Sequence, residues 1–137
     1  MRLWHTDLIP YLPKSQLLAQ WRELNSIFAK EDQHILINYI YEYPKEDLYI
    51  YTKLVLEEMQ NRNIQIRTRD KMERYFAQIQ PNQIDVPFKD HHNKQYLTIC
   101  YYNLLEKYIR GQKDFSKALF DKLQIFYNEK MNSYEHI

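Results

Sequence analysis

The sequence predicts an all-α fold, a compact single domain of about four helices with an irregular middle segment. Three observations predict it. Glycine occurs once, at Gly111, whereas doubly wound sheets, barrels and hairpin-rich folds need glycine at their tight turns. Apolar residues recur at helical spacing in four separate stretches. No run rich in Pro, Gly or Ser divides them, so residues 1–137 read as one domain. A chain of this length buries roughly two-thirds of its unfolded surface.

The first helix is expected to begin near Ser15, an N-cap type of residue that follows Pro13. Leu17, Trp21, Leu24 and Phe28 then stand at i, i+4, i+7 and i+11, which makes one apolar stripe. With about 100° per residue, Gln16, Ala19, Gln20 and Glu23 fall to one side of that stripe and Arg22 to the other. Residues 33–43 are β-branched and aromatic and end at Pro44. They read as a loop holding a short extended or helical piece. A second helix is expected from about Glu46 to Asn61, capped by Asp47, with Leu48, Tyr51, Leu54, Val55 and Met59 as its buried stripe. Residues 64–90 are polar with short apolar islands. A brief helix near Arg69–Gln78 fits there, and Pro81 and Pro87 bracket a loop. A third helix is expected from about His92 to Arg110, with Gly111 where a C′ glycine belongs. A fourth should follow Asp114 as N-cap, carry Phe115, Leu119, Leu123 and Phe126, and fade near Asn128.

Composition excludes several function classes. One glycine cannot build a P-loop or a dinucleotide-binding fingerprint. One cysteine, Cys100, excludes an internal disulfide and suits a reducing compartment. No apolar run approaches the ~20 residues of a membrane span, so the expectation is a cytoplasmic protein with no membrane partner. The net charge of +1 announces no nucleic-acid partner, but the charge is sorted. Residues 31–58 carry seven acids against Lys45 and Lys53. Residues 62–74 carry Arg62, Arg67, Arg69, Lys71 and Arg74 against Asp70 and Glu73. Eight bases and five acids follow between Lys89 and Lys130. Such sorting gives either solvated helix surfaces or one basic face. The 13 tyrosines fill a core with their rings, or offer stacking faces to bases.

Searches for a metal site and a thiol nucleophile come back negative. Cys100 lies in an apolar stretch beside Tyr101 and Tyr102, where nothing lowers its pKa. His91 and His92 are adjacent, so on a helix they would point about 100° apart, and neither HxxxH nor CxxC occurs. His5 and His34 stand alone. On pattern alone, Arg22 and Glu23 are surface charges beside a packed stripe.

A resemblance gives that segment more weight. Met1-Arg2-Leu3-Trp4-His5 looks like the MRLW opening of bacterial pyrimidine-dimer DNA glycosylases, the endonuclease V type of glycosylase and abasic-site lyase. Trp21-Arg22-Glu23-Leu24 is similar to the family's aromatic-Arg-Glu-Leu segment on its first helix. Tyr49-Ile50-Tyr51-Thr52-Lys53-Leu54, continuing through Glu57-Glu58-Met59 to Asn63, resembles its second helix. His34 falls where members tend to carry a histidine. The match covers the first half of the chain and rests on order and spacing.

The resemblance implies an all-α fold, no cofactor, and double-stranded DNA with a damaged or abasic site as partner; the sequence does not fix the oligomeric state, and a monomer is assumed. It implies a free N-terminal α-amine, here that of Met1, as nucleophile at C1′ of the sugar. A Schiff base forms and β-elimination cuts the strand. By position Glu23 is the acid/base, with Arg2, Arg22, Gln16 and His34 at the DNA. Elementary chemistry favours such an amine. With a pKa near 7.7–8.0, roughly a tenth of an α-amine is neutral at pH 7, against under ~0.1% of a lysine. Two family positions differ: the arginine one turn past the glutamate is Ser26, and the histidine before the segment is Gln16. The rival reading is a non-catalytic helical protein of the same fold that binds nucleic acid or a protein partner.

Overall fold

The computed structural model describes residues 1–80 and 86–135. Pro81, expected to open a loop, lies outside the described residues. The described residues form five α-helices and two 3₁₀ helices and no strand. They are α1 (Lys14–Lys30), α2 (Lys45–Asn61), α3 (Asp70–Tyr75), α4 (Lys94–Ile109) and α5 (Lys117–Glu135). The 3₁₀ helices span Thr6–Tyr11 and Asn38–Glu42. The all-α expectation therefore holds, with four long helices and one short one. None of the described helices is long and apolar enough to cross a membrane.

The helix stripes face the core, with Trp21, Leu54, Leu119 and Phe126 only partly buried at its edge and Phe120 and Tyr127, outside the expected stripe, buried in it. Leu17, Leu24 and Phe28 of α1, and Leu48, Tyr51, Val55 and Met59 of α2, are buried in the core. Leu97, Tyr101 and Leu104 of α4 and Phe120, Leu123 and Tyr127 of α5 join them. α1 packs on α2 and α3, whereas α4 packs on α5. The Thr6–Tyr11 turn touches α2, α4 and α5 and so joins the two groups. That turn was not expected. Pro10 lies inside it and its six residues are too few to display a 3.6-residue period.

The helix caps depart most from expectation. α1 is preceded by Pro13, and Ser15 lies in its first turn with no side-chain cap of its own. Instead the Ser15 N–H donates to Asp114 Oδ2 at 2.7 Å. Asp114 thus serves α1 and not α5, whose first turn has Leu119 N–H bonded to Ser116 Oγ at 3.1 Å. Asp47 does not cap α2, which follows Pro44. Asp47 is buried and accepts the Phe88 N–H at 2.9 Å. That bond helps hold Phe88 at φ 55°, where its fully buried ring lies edge-on to Tyr39 and Tyr43. α4 starts at Lys94, capped by the Asn93 side chain, which leaves His92 outside the helix. Its end matches expectation. Gly111 has φ 83°, its N–H meets Tyr108 O, and Gln112 N–H meets Lys107 O, the two bonds of a Schellman motif. α5 runs past Asn128 to Glu135 because Met131 and Tyr134 extend the Tyr127 stripe onto the core.

Candidate active site

The site begins with a buried polar residue. Gln20 lies on α1 with no exposed surface. A buried amide must satisfy both its oxygen and its nitrogen. Its Oε1 accepts the Trp4 N–H at 2.9 Å and the Tyr51 hydroxyl at 2.9 Å. Its Nε2 donates to Arg2 O at 3.1 Å and to Glu23 Oε2 at 3.1 Å. One side chain therefore ties the N-terminal backbone to the carboxylate one helical turn away.

Further bonds pin the same segment. The one Tyr51 hydroxyl proton is shared between Gln20 Oε1 and Trp4 O, the latter at 2.7 Å. The Tyr96 hydroxyl donates to Leu3 O. Leu3, Trp4 and His5 are buried, whereas Met1 stands partly exposed at the end of the segment. The chain thus enters the core at residue 3 and leaves its first residue at the surface.

Glu23 is half-buried. Burial raises its carboxyl above the ordinary value of 4.5, against the lowering pull of the Met1 α-ammonium, the Arg2 backbone N–H and the Arg22 guanidinium. A carboxyl raised by burial gives up and takes back a proton nearer neutrality, which suits acid–base work.

The other candidates fall in four different places. Arg2 is half-buried, and its guanidinium carbon stands 5.7 Å from the centre of the Tyr96 ring. Its charge is turned onto an aromatic face beside the N-terminus. Arg22 is exposed and lines a groove next to Glu23. Gln16 lies two turns before Glu23, and its Nε2 donates to Gln112 Oε1 at 3.3 Å. His34 is exposed and its bonds are local: its N–H meets Asn38 Oδ1 at 2.7 Å, and its Nδ1 accepts the Leu36 N–H at 3.1 Å. The structure thus ties Arg2 to Glu23 through Gln20, sets Arg22 in a groove on the adjoining face of α1 and Gln16 at the head of that helix, and leaves His34 in a separate turn.

Sequence reasoning missed Gln20, Tyr51 and Tyr96. The face of α1 that carries Glu23 already included Gln20, so its position was visible. Its burial was not, because the N-terminal segment that covers it has no periodic signal. Cys100 is buried and burial pushes its thiol pKa up, so it is no nucleophile in this state. A hollow of about 410 Å³ between the first 3₁₀ turn, α2 and α5 is lined by Asp7, Glu57 and Glu58, charges unsuited to a phosphate backbone. Among the described residues no group of three or more His, Cys, Asp or Glu is placed to hold a metal ion.

The family model for pyrimidine dimer DNA glycosylase matches residues 1–72, from the N-terminus through α1, α2 and the start of α3. No curated protein and no solved structure matches the chain.

Proposed function

The chain belongs to the pyrimidine dimer DNA glycosylase family, and we propose that it is a glycosylase and abasic-site lyase whose nucleophile is the α-amine of Met1. The observation that carries the reading is the buried Gln20 amide, whose nitrogen bonds both Glu23 Oε2 and the carbonyl of Arg2, the residue after the amine.

The chemistry follows from the two groups. The neutral amine attacks C1′, and the C1′–N bond to the base breaks with its electron pair leaving on the base. One amine proton passes to the departed base anion; a proton from the acid partner then opens the sugar ring at its O4′ as the C1′=N bond forms, which leaves the other proton on the iminium nitrogen. The Glu23 carboxylate next takes a proton from C2′. The C–H pair becomes the C2′=C3′ bond, the C3′–O3′ bond breaks, and the 3′-flanking fragment leaves as a 5′-phosphate with the C3′–O3′ electron pair. Glu23 serves first as acid and then as base, which a raised pKa favours. Arg22 meets a flanking phosphate, while Arg2 keeps a cation near the amine. Reaching C1′ inside a duplex requires kinking or base extrusion, at a cost of a few kcal/mol.

Borohydride trapping on DNA with one abasic site tests the reading. Reduction of the imine leaves a covalent protein–DNA adduct. The expected result is an adduct from protein with Met1 as a free terminus, and its loss when that amine is acetylated. Absence of adduct from the untagged protein sinks the mechanism and leaves the non-catalytic DNA binder as the reading.

A further inference from the structure

Beside Glu23 lies an open groove of about 690 Å³ between α1 and the segment that leads into α3. Arg22, Ser26 and Lys30 form one wall at i, i+4 and i+8 of α1. Arg67, Thr68 and Lys71 face them from the other side. Trp21, half-buried and edge-on to Phe28, supplies the apolar part. Four cations line the groove, and among the described residues no carboxylate does. Lys30 is held at 3.7 Å by Asp32, which lies outside the lining. Of the acids next to these residues in sequence, Glu23 accepts from Gln20 and Glu31 from the Tyr75 hydroxyl, while Asp70 lies with Glu73 and Arg74 in a separate hollow.

We infer that this groove is the track for the phosphate backbone of the DNA flanking the lesion, with Arg67 and Lys71 as its phosphate contacts. The inference rests on the proposed action on DNA and extends it to residues outside the α1 motif. Ser26 stands where the resemblance leads one to expect an arginine, so α1 alone is a cation short. Arg67 and Lys71 put positive charge across the same groove and restore it from the opposite wall. The dimensions agree. From Glu23 to Lys30 the helix rises about 10 Å, or about three nucleotide steps at ~3.4 Å each. Guanidinium and ammonium groups on both walls would clasp one strand, and the Thr68 hydroxyl can donate to the same phosphates. The half-exposed Trp21 ring suits a sugar face and not another phosphate.

Counterion release distinguishes a phosphate contact from a folding role. Each cation that meets a phosphate contributes about 0.9 to the slope of log affinity against log salt. Binding to a duplex carrying a tetrahydrofuran abasic analogue, and to the same undamaged duplex, should be measured across salt for wild type, Arg67→Gln, Lys71→Gln and the double variant. Both positions are exposed, so glutamine leaves the core untouched; circular-dichroism melting checks this. Lys122→Gln, an exposed cation on α5, is the control. The expected result is a slope shallower by about 0.9 per groove substitution and about 1.8 for the pair, equal on both duplexes, with the control unchanged. An unchanged slope in the double variant overturns the track, as does an equal fall in the control or a wild type that does not bind duplex at low salt. Trapping on abasic DNA reads the other claim separately. Trapping with unchanged slopes leaves the lyase and removes the track. Altered slopes without trapping leave the track and remove the lyase.

Discussion

Burial holds the Glu23 carboxyl above 4.5 even though an α-ammonium, a backbone N–H and a guanidinium all favour its charge. The folded protein therefore binds that proton more tightly than the unfolded chain does. The sign follows from linkage. Below 4.5 both states are protonated and the residue has no effect. As pH rises from 4.5 through the raised value, the unfolded chain ionises first and the fold loses stability, a loss that persists at neutral pH. Replacing the carboxyl with its amide removes that loss. Glu23→Gln is expected to melt higher than wild type at pH 7, with the difference closing below pH 4.5. The same change should lower single-turnover strand cleavage on abasic DNA by at least about 100-fold, the usual weight of a positioned acid–base group. Melting curves at pH 4 and 7 beside gel-resolved cleavage decide it. A variant that cleaves normally removes Glu23 from the chemistry, and one that melts lower at pH 7 gives it a structural role.

Among the elements, α1 has the cap with the longest reach in sequence. The head of a helix leaves unpaired N–H groups, and Asp114 satisfies that of Ser15 from 99 residues away. Asp114 is highly exposed. A small burial cost raises its carboxyl, but hydrogen bonds from the Ser15 N–H and the Gln112 amide outweigh that and hold it below the ordinary value of 3.8. Asp114→Ala should cost about 1 kcal/mol, the usual loss for an N-cap, read as a lower urea midpoint with unchanged slope. No change in midpoint would show that water replaces the carboxylate. The same bond shows what a sequence can and cannot disclose. Stripes such as Leu17, Trp21, Leu24 and Phe28 are local and periodic, so the four long helices were legible. So was Gly111, because a positive φ at a helix end calls for that residue. Caps contributed by a distant residue are not legible, and the reading gave Asp114 and Asp47 to the helices next to them. Glu23 was visible through its spacing from the N-terminus. Gln20 was placed on its face but not in its role, since only the folded chain lays residues 2–4 over it. Arg67 and Lys71 were visible as a basic cluster, but not the wall they face.

Across the whole molecule, the N-terminal segment is the joint between α1–α3 and α4–α5, and under the proposed mechanism it also carries the nucleophile, so what holds it sets the site. Histidine at that joint makes the hold sensitive to acid. His92 Nδ1 accepts the Thr6 N–H at 3.1 Å, which leaves the ring proton on Nε2, 2.7 Å from the Tyr39 hydroxyl. The ring sits among Tyr51, Phe88, Tyr96, His5 and His91. Burial, then the neighbouring His5 and His91, push its pKa down to about 2. His5 is buried too, and burial lowers its pKa from 6.5 despite Asp7 beside it. Both rings fold neutral while the unfolded chain takes up protons below 6.5, so stability is complete above that value and falls as pH drops through it. His92 alone then withdraws about 2 kcal/mol by pH 5, at about 1.4 kcal/mol per pH unit, and His5 adds to it. Urea unfolding at pH 7, 6 and 5 should show the midpoint falling stepwise. His92→Gln should be less stable at pH 7, since the Thr6 and Tyr39 bonds are disturbed, yet lose less than wild type between pH 7 and 5. A flat wild-type profile would mean that both rings are charged or solvated in the fold. An equal slope in the variant would move the acid sensitivity from His92 to another group.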